Sequence, residues 1–331
     1  MGAEARQITF TSGATEANNT AVFSHWERVK SVLPAGMKPI ILTTRLEHAS
    51  VAKAVDRLSA QGAETVYLPV SGDGLADAQA FAEAMSPEVV LVTLPWVNNV
   101  FGTRQPVGQV GDIIVRERAN RKDKGLPLAF LCDAVQAARF EVLRPSELGI
   151  DFLSLSAHKI YGPKGVGCLW SRKTVEHPLV VGGGQEAGRR SGTENVSGIV
   201  GFGTAARIMG ESRSLDLSGC VGVNDRLRDF AGDVRGLEPV GSADSRVPGI
   251  VFLKSRQMQG DDLALRLDVA GVAVATGSAC DSGNKKASNL LTEVLGTGAA
   301  SRGGIRLSWG RFTGKEDVDR LREAMSRLLQ S

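Results

Sequence analysis

The sequence predicts an α/β protein in which a large domain, built on a mainly parallel seven-stranded sheet, is followed by a small α+β C-terminal domain. Three observations carry this. Short β-branched or apolar runs recur through the first half of the chain, stretches with helical period lie between several of them, and from about Glu211 the strands become shorter. The expected division is 1–211 for the large domain and 212–331 for the small one.

The expected strands of the large domain are Ile8 to Phe10, Pro39 to Thr44, Thr65 to Pro69, Val89 to Pro95, Leu128 to Cys132, Asp151 to Ser156 and Val166 to Trp170. Helical period marks Glu16 to Lys30, Val51 to Ala60 and Val107 to Asn120. In the small domain, strands are expected at Gly249 to Leu253, Val272 to Ala275 and Gly304 to Ser308. Its last helix, Lys315 to Leu329, places Val318, Leu321, Met325, Leu328 and Leu329 on one face, which suits packing on a small sheet. Arg121 to Lys124, "RKDK", reads as a solvated helix end.

Composition bounds the function. With 42% hydrophobic and 23% charged residues, the 331-residue chain has the balance of a globular protein, and a net charge of +3 is too small to make nucleic acid its main partner. No apolar run is long enough to span a bilayer and the N-terminus lacks a secretory core, so a soluble cytoplasmic protein is expected. The four cysteines, Cys132, Cys168, Cys220 and Cys280, form no CxxC pair and no zinc-ligand cluster. Cys132 and Cys168 lie in apolar strand-like runs and read as small buried hydrophobes. Cys280, in "ATGSACDSGNKKASN", sits among small polar residues where a thiol is accessible.

In open parallel sheets, ligands bind beyond the carboxyl ends of the strands. At the first such end, "TSGATEANN" combines small and hydroxyl residues with a glycine where a helix begins; this reads as a phosphate site or as an ordinary helix cap. Glu47-His48 follows the second strand, and Asn99 in "VNN" is a turn residue or a ligand contact. Asp133, with Gln136 three residues on, ends a buried strand, where an acid is costly unless it meets a cation or donors, although it could simply cap the next helix. Lys159 in "LSLSAHKIYGPKGVG" repeats the puzzle with opposite sign. Pyridoxal phosphate satisfies all of these at once: its phosphate suits the first turn, its ring nitrogen Asp133 and its aldehyde Lys159. His48 would then stack on the ring, with Asn99 and Gln136 towards its hydroxyl and Ser156 and His158 towards its phosphate or hydroxyl.

At these residues the chain also resembles a known family. "SGATEANN", "LEHASV", "VNN..G", "DAVQAAR", "SLSAHKIYGPKGVG", "GGGQEAGRRSGTENV", "TGSACDSG" and "IRLSWGRFT" are similar, in order, to the motifs of the NifS/IscS-like cysteine desulfurases, which are class V aminotransferase relatives and fold-type I pyridoxal phosphate enzymes. The resemblance spans Ile8 to about Leu329. It implies a Schiff base at Lys159, a ring-nitrogen partner in Asp133, ring stacking by His48, and phosphate contacts from Ala14, Thr15, Ser156 and His158. Thr193 would reach the cofactor of a second subunit across a homodimer interface, whereas its bare sequence reads as a surface loop.

The resemblance further implies L-cysteine as substrate, with proton transfer by Lys159 or His48 and attack of the Cys280 thiolate on the substrate sulfur to leave alanine and a persulfide. Asn99 and Arg306 would bind the substrate, Arg306 by clamping its carboxylate. The surroundings of Cys280 resemble those of enzymes that pass sulfur to an acceptor protein, such as an iron-sulfur scaffold. Two rival readings remain open: a related pyridoxal phosphate enzyme, either a selenocysteine lyase or a class V aminotransferase, and a non-catalytic homologue acting as a binding partner. In two places the chain departs from the family pattern. Val100 stands where an acidic residue is usual, and no "NAAT"-like turn precedes the first strand, so a shortened version of a longer enzyme is expected.

Overall fold

The computed structural model describes residues 2–121, 126–231, 236–277 and 289–329. The chain divides into two compact units, 1–69 with 76–97 and 105–211, and 70–75 with 98–104 and 212–331.

In the first unit the elements run β1 (Ile8–Thr11), α1 (Ala14–Val32), β2 (Ile40–Thr43), α2 (Ala49–Ser59), β3 (Glu64–Tyr67), α3 (Ala78–Glu83), β4 (Val89–Thr93), α4 (Val107–Arg121), β5 (Ala129–Asp133), β6 (Phe152–Ser156) and β7 (Gly167–Ser171). The seven strands form one sheet in the order β1-β7-β6-β5-β4-β2-β3. Neighbours from β6 through to β3 are parallel, while β7 is antiparallel to both β6 and β1. Residues 157–166, which include a 3-10 turn, join β6 to β7, fewer than the dozen or so that the crossover to a parallel partner requires. Every residue of β4, β5 and β7 is buried, as a sheet covered on both faces requires. One face is covered by α1 and α2, whose Ala17, Ala21, Val22, Trp26, Val51, Val55 and Leu58 join Ile41 and Leu91 in the core.

One reading of the sequence is overturned at the end of α4. The Arg121 side chain is 6% exposed and pairs with Glu117 at 2.7 Å. It also donates to the carbonyls of Val89 and Leu126 at 2.7 and 3.1 Å, and to that of Ser86. It is therefore an inward tether, since one guanidinium serves a carboxylate and three carbonyls at once. Residues 122–124 of the same motif lie outside the described residues.

A long helix, α5 (Val196–Ala231), leads into the second unit, which contains β8 (Leu237–Pro239), β9 (Ile250–Ser255), α6 (Gly260–Val269), β10 (Ala275–Thr276), α7 (Asn289–Leu295), α8 (Thr297–Arg302), β11 (Gly304–Ser308) and α9 (Lys315–Leu329). Its sheet has the order β10-β11-β9-β8, antiparallel throughout. Val318, Leu321 and Met325 of α9 are buried with Val251, Leu253, Ile305 and Leu307, and Leu328 and Leu329 pack at the edge of the cluster. Cys132, Cys168 and Cys220 are buried free thiols, and burial pushes the Cys168 thiol up to about 12.

Candidate active site

Because β1 runs in the same direction as the parallel set, Thr11, Ser156, Asp133, Thr93 and Thr43 all close their strands along one edge of the first unit. The chain leaves β2 towards β3 on one side and β4 towards β5 on the other, which makes the β2–β4 pair the switch in strand order where ligands gather. Glu47 and His48 follow β2 at that point, and Asp133 closes the next strand but one.

The turn into α1 stands at the β1 end of this edge. Gly13 is the N-cap and has no side chain to bond the first-turn amides, so Ala14 and Thr15 open a helix N-terminus whose N–H groups suit an anion. In register, Thr11 faces Gly167 and Gly167 faces Ser156, which sets the α1 turn and the end of β6 on either side of one glycine. A Cβ at Gly167 would lie 2.6 Å from the Leu155 carbonyl oxygen and 2.7 Å from Gly13 Cα, so only glycine permits this approach. Beyond β6, the Ser156 hydroxyl and His158 Nδ1 are 2.8 Å apart. Partial burial, then the positive charges of Lys159 and Lys164, hold the exposed His158 ring below its ordinary value, so it is neutral at pH 7. Lys159 is half-buried in the 3-10 turn Ala157–Ile160, which Tyr161 ends in a left-handed conformation with φ 66°.

Asp133 is 8% exposed. Its Oδ2 accepts from Asn18 Nδ2 at 2.9 Å and its Oδ1 from the Val135 amide at 3.0 Å. The same Asn18 nitrogen donates to Ser50 Oγ at 2.9 Å, and Ser50 Oγ lies 2.8 Å from His48 Nδ1. His48 is also the N-cap of α2, its Nδ1 accepting from the Ser50 amide at 3.1 Å, so the neutral ring carries its proton on Nε2. One hydrogen-bonded chain, Asp133–Asn18–Ser50–His48, buried up to the half-buried His48, thus fixes an acid and an imidazole together. Next to it both carboxylate oxygens of Glu47 are buried without a hydrogen-bond partner among the described residues, and Asn18 Oδ1 is likewise unmatched there. Burial first, and then the negative charge of Asp133, push the Glu47 carboxyl up to about 8, against a smaller opposing effect of Thr93.

Gln136 is half-buried at the start of the 3-10 turn that follows Asp133. Thr193 is exposed and lines a cavity of about 140 Å³ with Thr11, Ser12, Glu186 and Arg190. In the second unit, Arg306 on β11 donates from Nη1 to the Asn99 carbonyl at 2.8 Å and from Nε to Ser308 Oγ at 3.2 Å, which brings these two expected substrate residues together. Asn98 Oδ1 accepts from the amides of Val100 and Phe101 at 2.9 and 2.8 Å and so shapes the turn that carries Asn99. Cys280 lies outside the described residues.

Sequence reasoning passed over Asn18, Ser50 and Glu47. Asn18 had a signal, since it falls on the α1 face marked by Ala17, Ala21 and Val22, where a polar side chain must find partners. No metal-holding cluster of His, Cys, Asp and Glu occurs among the described residues, and none of their helices is long and apolar enough to cross a membrane.

A lysine, a hydrogen-bonded buried acid, an oriented imidazole and an open helix N-terminus at the ends of parallel strands define the molecule as an α/β enzyme. The model of the class-V aminotransferase family matches residues 1–321. A cysteine desulfurase of Cereibacter sphaeroides is 39% identical over 98% of this chain and 80% of its own length. The cysteine desulfurase IscS of Dictyoglomus turgidum is 34% identical over 100% of this chain and 81% of its own. A solved NifS-like protein superposes with a TM-score of 0.87 at 29% identity, over 99% of this chain and 84% of that one. The chain belongs to the class-V aminotransferase family and, within it, to the NifS/IscS-like cysteine desulfurases. Its α/β fold is the type I fold of that family of pyridoxal phosphate enzymes, as the sequence predicted.

Proposed function

We propose that this chain binds pyridoxal 5'-phosphate at Lys159 and converts L-cysteine to L-alanine, retaining the sulfur as a persulfide on Cys280. The observation that carries the cofactor reading is Asp133, a buried strand-end carboxylate held by neutral donors, with Lys159 just beyond the neighbouring strand β6. Such an acid calls for positive charge. The donor set fits the cofactor: the open α1 N-terminus with Ala14 and Thr15, and the Ser156–His158 pair, suit a phosphate; Asp133 suits a protonated ring nitrogen; His48 and Gln136 suit the ring and its hydroxyl, with Asn99 as a further contact. The buried oxygens of Asn18 and Glu47, without a hydrogen-bond partner among the described residues, support a polar ligand near Asp133.

When bound, the cofactor supplies an electron sink that weakens bonds to the substrate α-carbon. The residues do the rest. Lys159 would hold the cofactor and move protons at the substrate carbon, and His48, fixed by Ser50, would be a second proton carrier. Arg306 offers a guanidinium to the substrate carboxylate. The Cys280 thiolate attacks the substrate sulfur, the carbon–sulfur bond breaks with its electron pair left on carbon, and a proton then completes alanine.

The name borne by the relatives supports L-cysteine as the substrate. A homodimer, with Thr193 serving the other subunit's cofactor, is supported by the exposed Leu179, Val181, Val196 and Val200 that flank Thr193 in sequence. The persulfide would pass to an acceptor protein such as an iron-sulfur scaffold, in the cytoplasm. Borohydride reduction of the loaded protein followed by peptide mapping tests the cofactor reading. Pyridoxyl label on Lys159 is expected, and label on another lysine, or none, would contradict it.

A further inference from the structure

We infer that Arg190 is a positioning residue for the phosphate turn, which it serves by pairing with Glu16, cancelling a carboxylate charge in the first turn of α1 and tying the Thr193 loop to that turn. The inference rests on the reading of the site given above.

Glu16 is the third residue of α1, and its Oε2 accepts from the Ser12 amide at 2.9 Å, so it braces the turn before the helix. A carboxylate here suits the helix dipole, but it is a like charge for any phosphate bound at the same helix end. Arg190, 174 residues further along the chain, meets it with a fork: Nε donates to Oε1 at 2.8 Å and Nη2 to Oε2 at 3.4 Å. The Glu16 and Arg190 side chains are 12% and 25% exposed, so solvent screens the pair incompletely. Burial alone would raise the Glu16 carboxyl, but the hydrogen bonds from Arg190 and Ser12 outweigh it and hold the group below its ordinary value. Glu16 is therefore charged at neutral pH, and Arg190 is the cation that answers it.

The rest of the loop is fastened to β1 and to the segment before it, and to itself. Glu186 Oε2 accepts from the Phe10 amide at 3.2 Å, and Arg189 Nη1 donates to the Arg6 carbonyl. Gln185 Oε1 accepts from the Gly192 amide at 2.9 Å. Glu186 and Ala187 hold φ values of 52° and 55°, a left-handed backbone that residues with side chains keep only where surrounding contacts impose it. Arg190 thus has two effects on one place: it neutralises Glu16, and it fixes the segment that presents Thr193 three residues later.

The test titrates the apo protein with pyridoxal phosphate and, separately, with pyridoxal, which lacks the phosphate, and follows thermal unfolding of each apo variant. Arg190→Gln is expected to bind pyridoxal phosphate at least about tenfold more weakly, with pyridoxal affinity changed by less than about twofold. Glu16→Gln keeps an acceptor for the Ser12 amide and is expected to bind pyridoxal phosphate as well as wild type or better. The double variant is expected to recover to within about threefold of wild type. The inference is overturned if Arg190→Gln binds like wild type, if it loses pyridoxal equally, if Glu16→Gln binds tenfold worse, or if the double variant stays as weak as Arg190→Gln. Should Arg190→Gln fail to fold, Glu16→Gln and the double variant decide the same question. A wild-type protein that takes up neither compound would overturn the reading of the site, and this inference with it.

Discussion

Two buried side chains give the apo protein opposite responses to pH. His25 donates from Nε2 to the Val90 carbonyl at 2.8 Å, and burial lowers it to about 4, so its neutral form stabilises the fold and that stability is lost as pH falls from about 6.5 to about 4. Glu47 acts the other way. Its carboxyl ionises near 4.5 in the unfolded chain but at about 8 in the fold, so the folded state holds the extra proton in between and stability falls as pH rises through that window. Below about 6.5 the two slopes oppose each other; between about 6.5 and 8 Glu47 acts alone. Urea unfolding of apo protein should therefore show stability declining from pH 6.5 to 8, by up to about 1.4 kcal/mol per pH unit, and Glu47→Gln should flatten that limb. An unchanged slope in the variant would show that Glu47 already ionises normally. Asn18→Ala should cost about 2 kcal/mol in the same measurement, because it strips a donor from both Asp133 and Ser50 in a buried setting. At this scale Asp133 and Lys159 were legible because a charged residue at the end of an apolar strand stands out. Asn18 and Glu47 were not, because their importance lies in partners far away in sequence. Arg121 misled for a related reason: a charge run looks solvated until the carbonyls it reaches are known.

Among the elements, the seven strands of the first unit could be read to within a residue or two, since β4, β5 and β7 are mostly apolar runs and β6 alternates apolar residues with serine, whereas the three-residue β8 has no such run and was not expected. The direction of β7 could not, because it depends on the length of the β6–β7 connection rather than on the strand's own residues. The strand expected at Val272 to Ala275 shrinks to Ala275–Thr276 for a local reason. Gly271 adopts φ 80° and the Val272 amide donates to the Leu267 carbonyl at 2.8 Å, so the first of these residues close α6 and only the last pair with β11. The α1 turn depends in turn on β7. Gly167→Ala should push the Gly13 turn away from the sheet, destabilising the protein by about 2–3 kcal/mol and weakening pyridoxal phosphate uptake, as measured by unfolding and by cofactor titration. Retention of both properties would mean that the turn can shift without consequence.

For the whole molecule, the exposed apolar side chains around Thr193 call for a partner. Sedimentation should show a dimer that Val196→Lys combined with Val200→Lys converts to monomer, with much weaker activity if Thr193 serves the other subunit. Full activity in a monomeric variant would remove Thr193 from the site. The type of fold was legible in the alternation of strand and helix, and the family in the order of its motifs; the buried chain from Asp133 to His48 needed the structure. The central claim is that sulfur leaves cysteine for Cys280. Mass spectrometry of protein loaded with pyridoxal phosphate and treated with L-cysteine should find one added sulfur atom on the Cys280 peptide and an equal amount of alanine, both lost in Cys280→Ala while cofactor binding persists. Alanine formed at the wild-type rate by Cys280→Ala, with no sulfur on the wild-type peptide, would contradict the account.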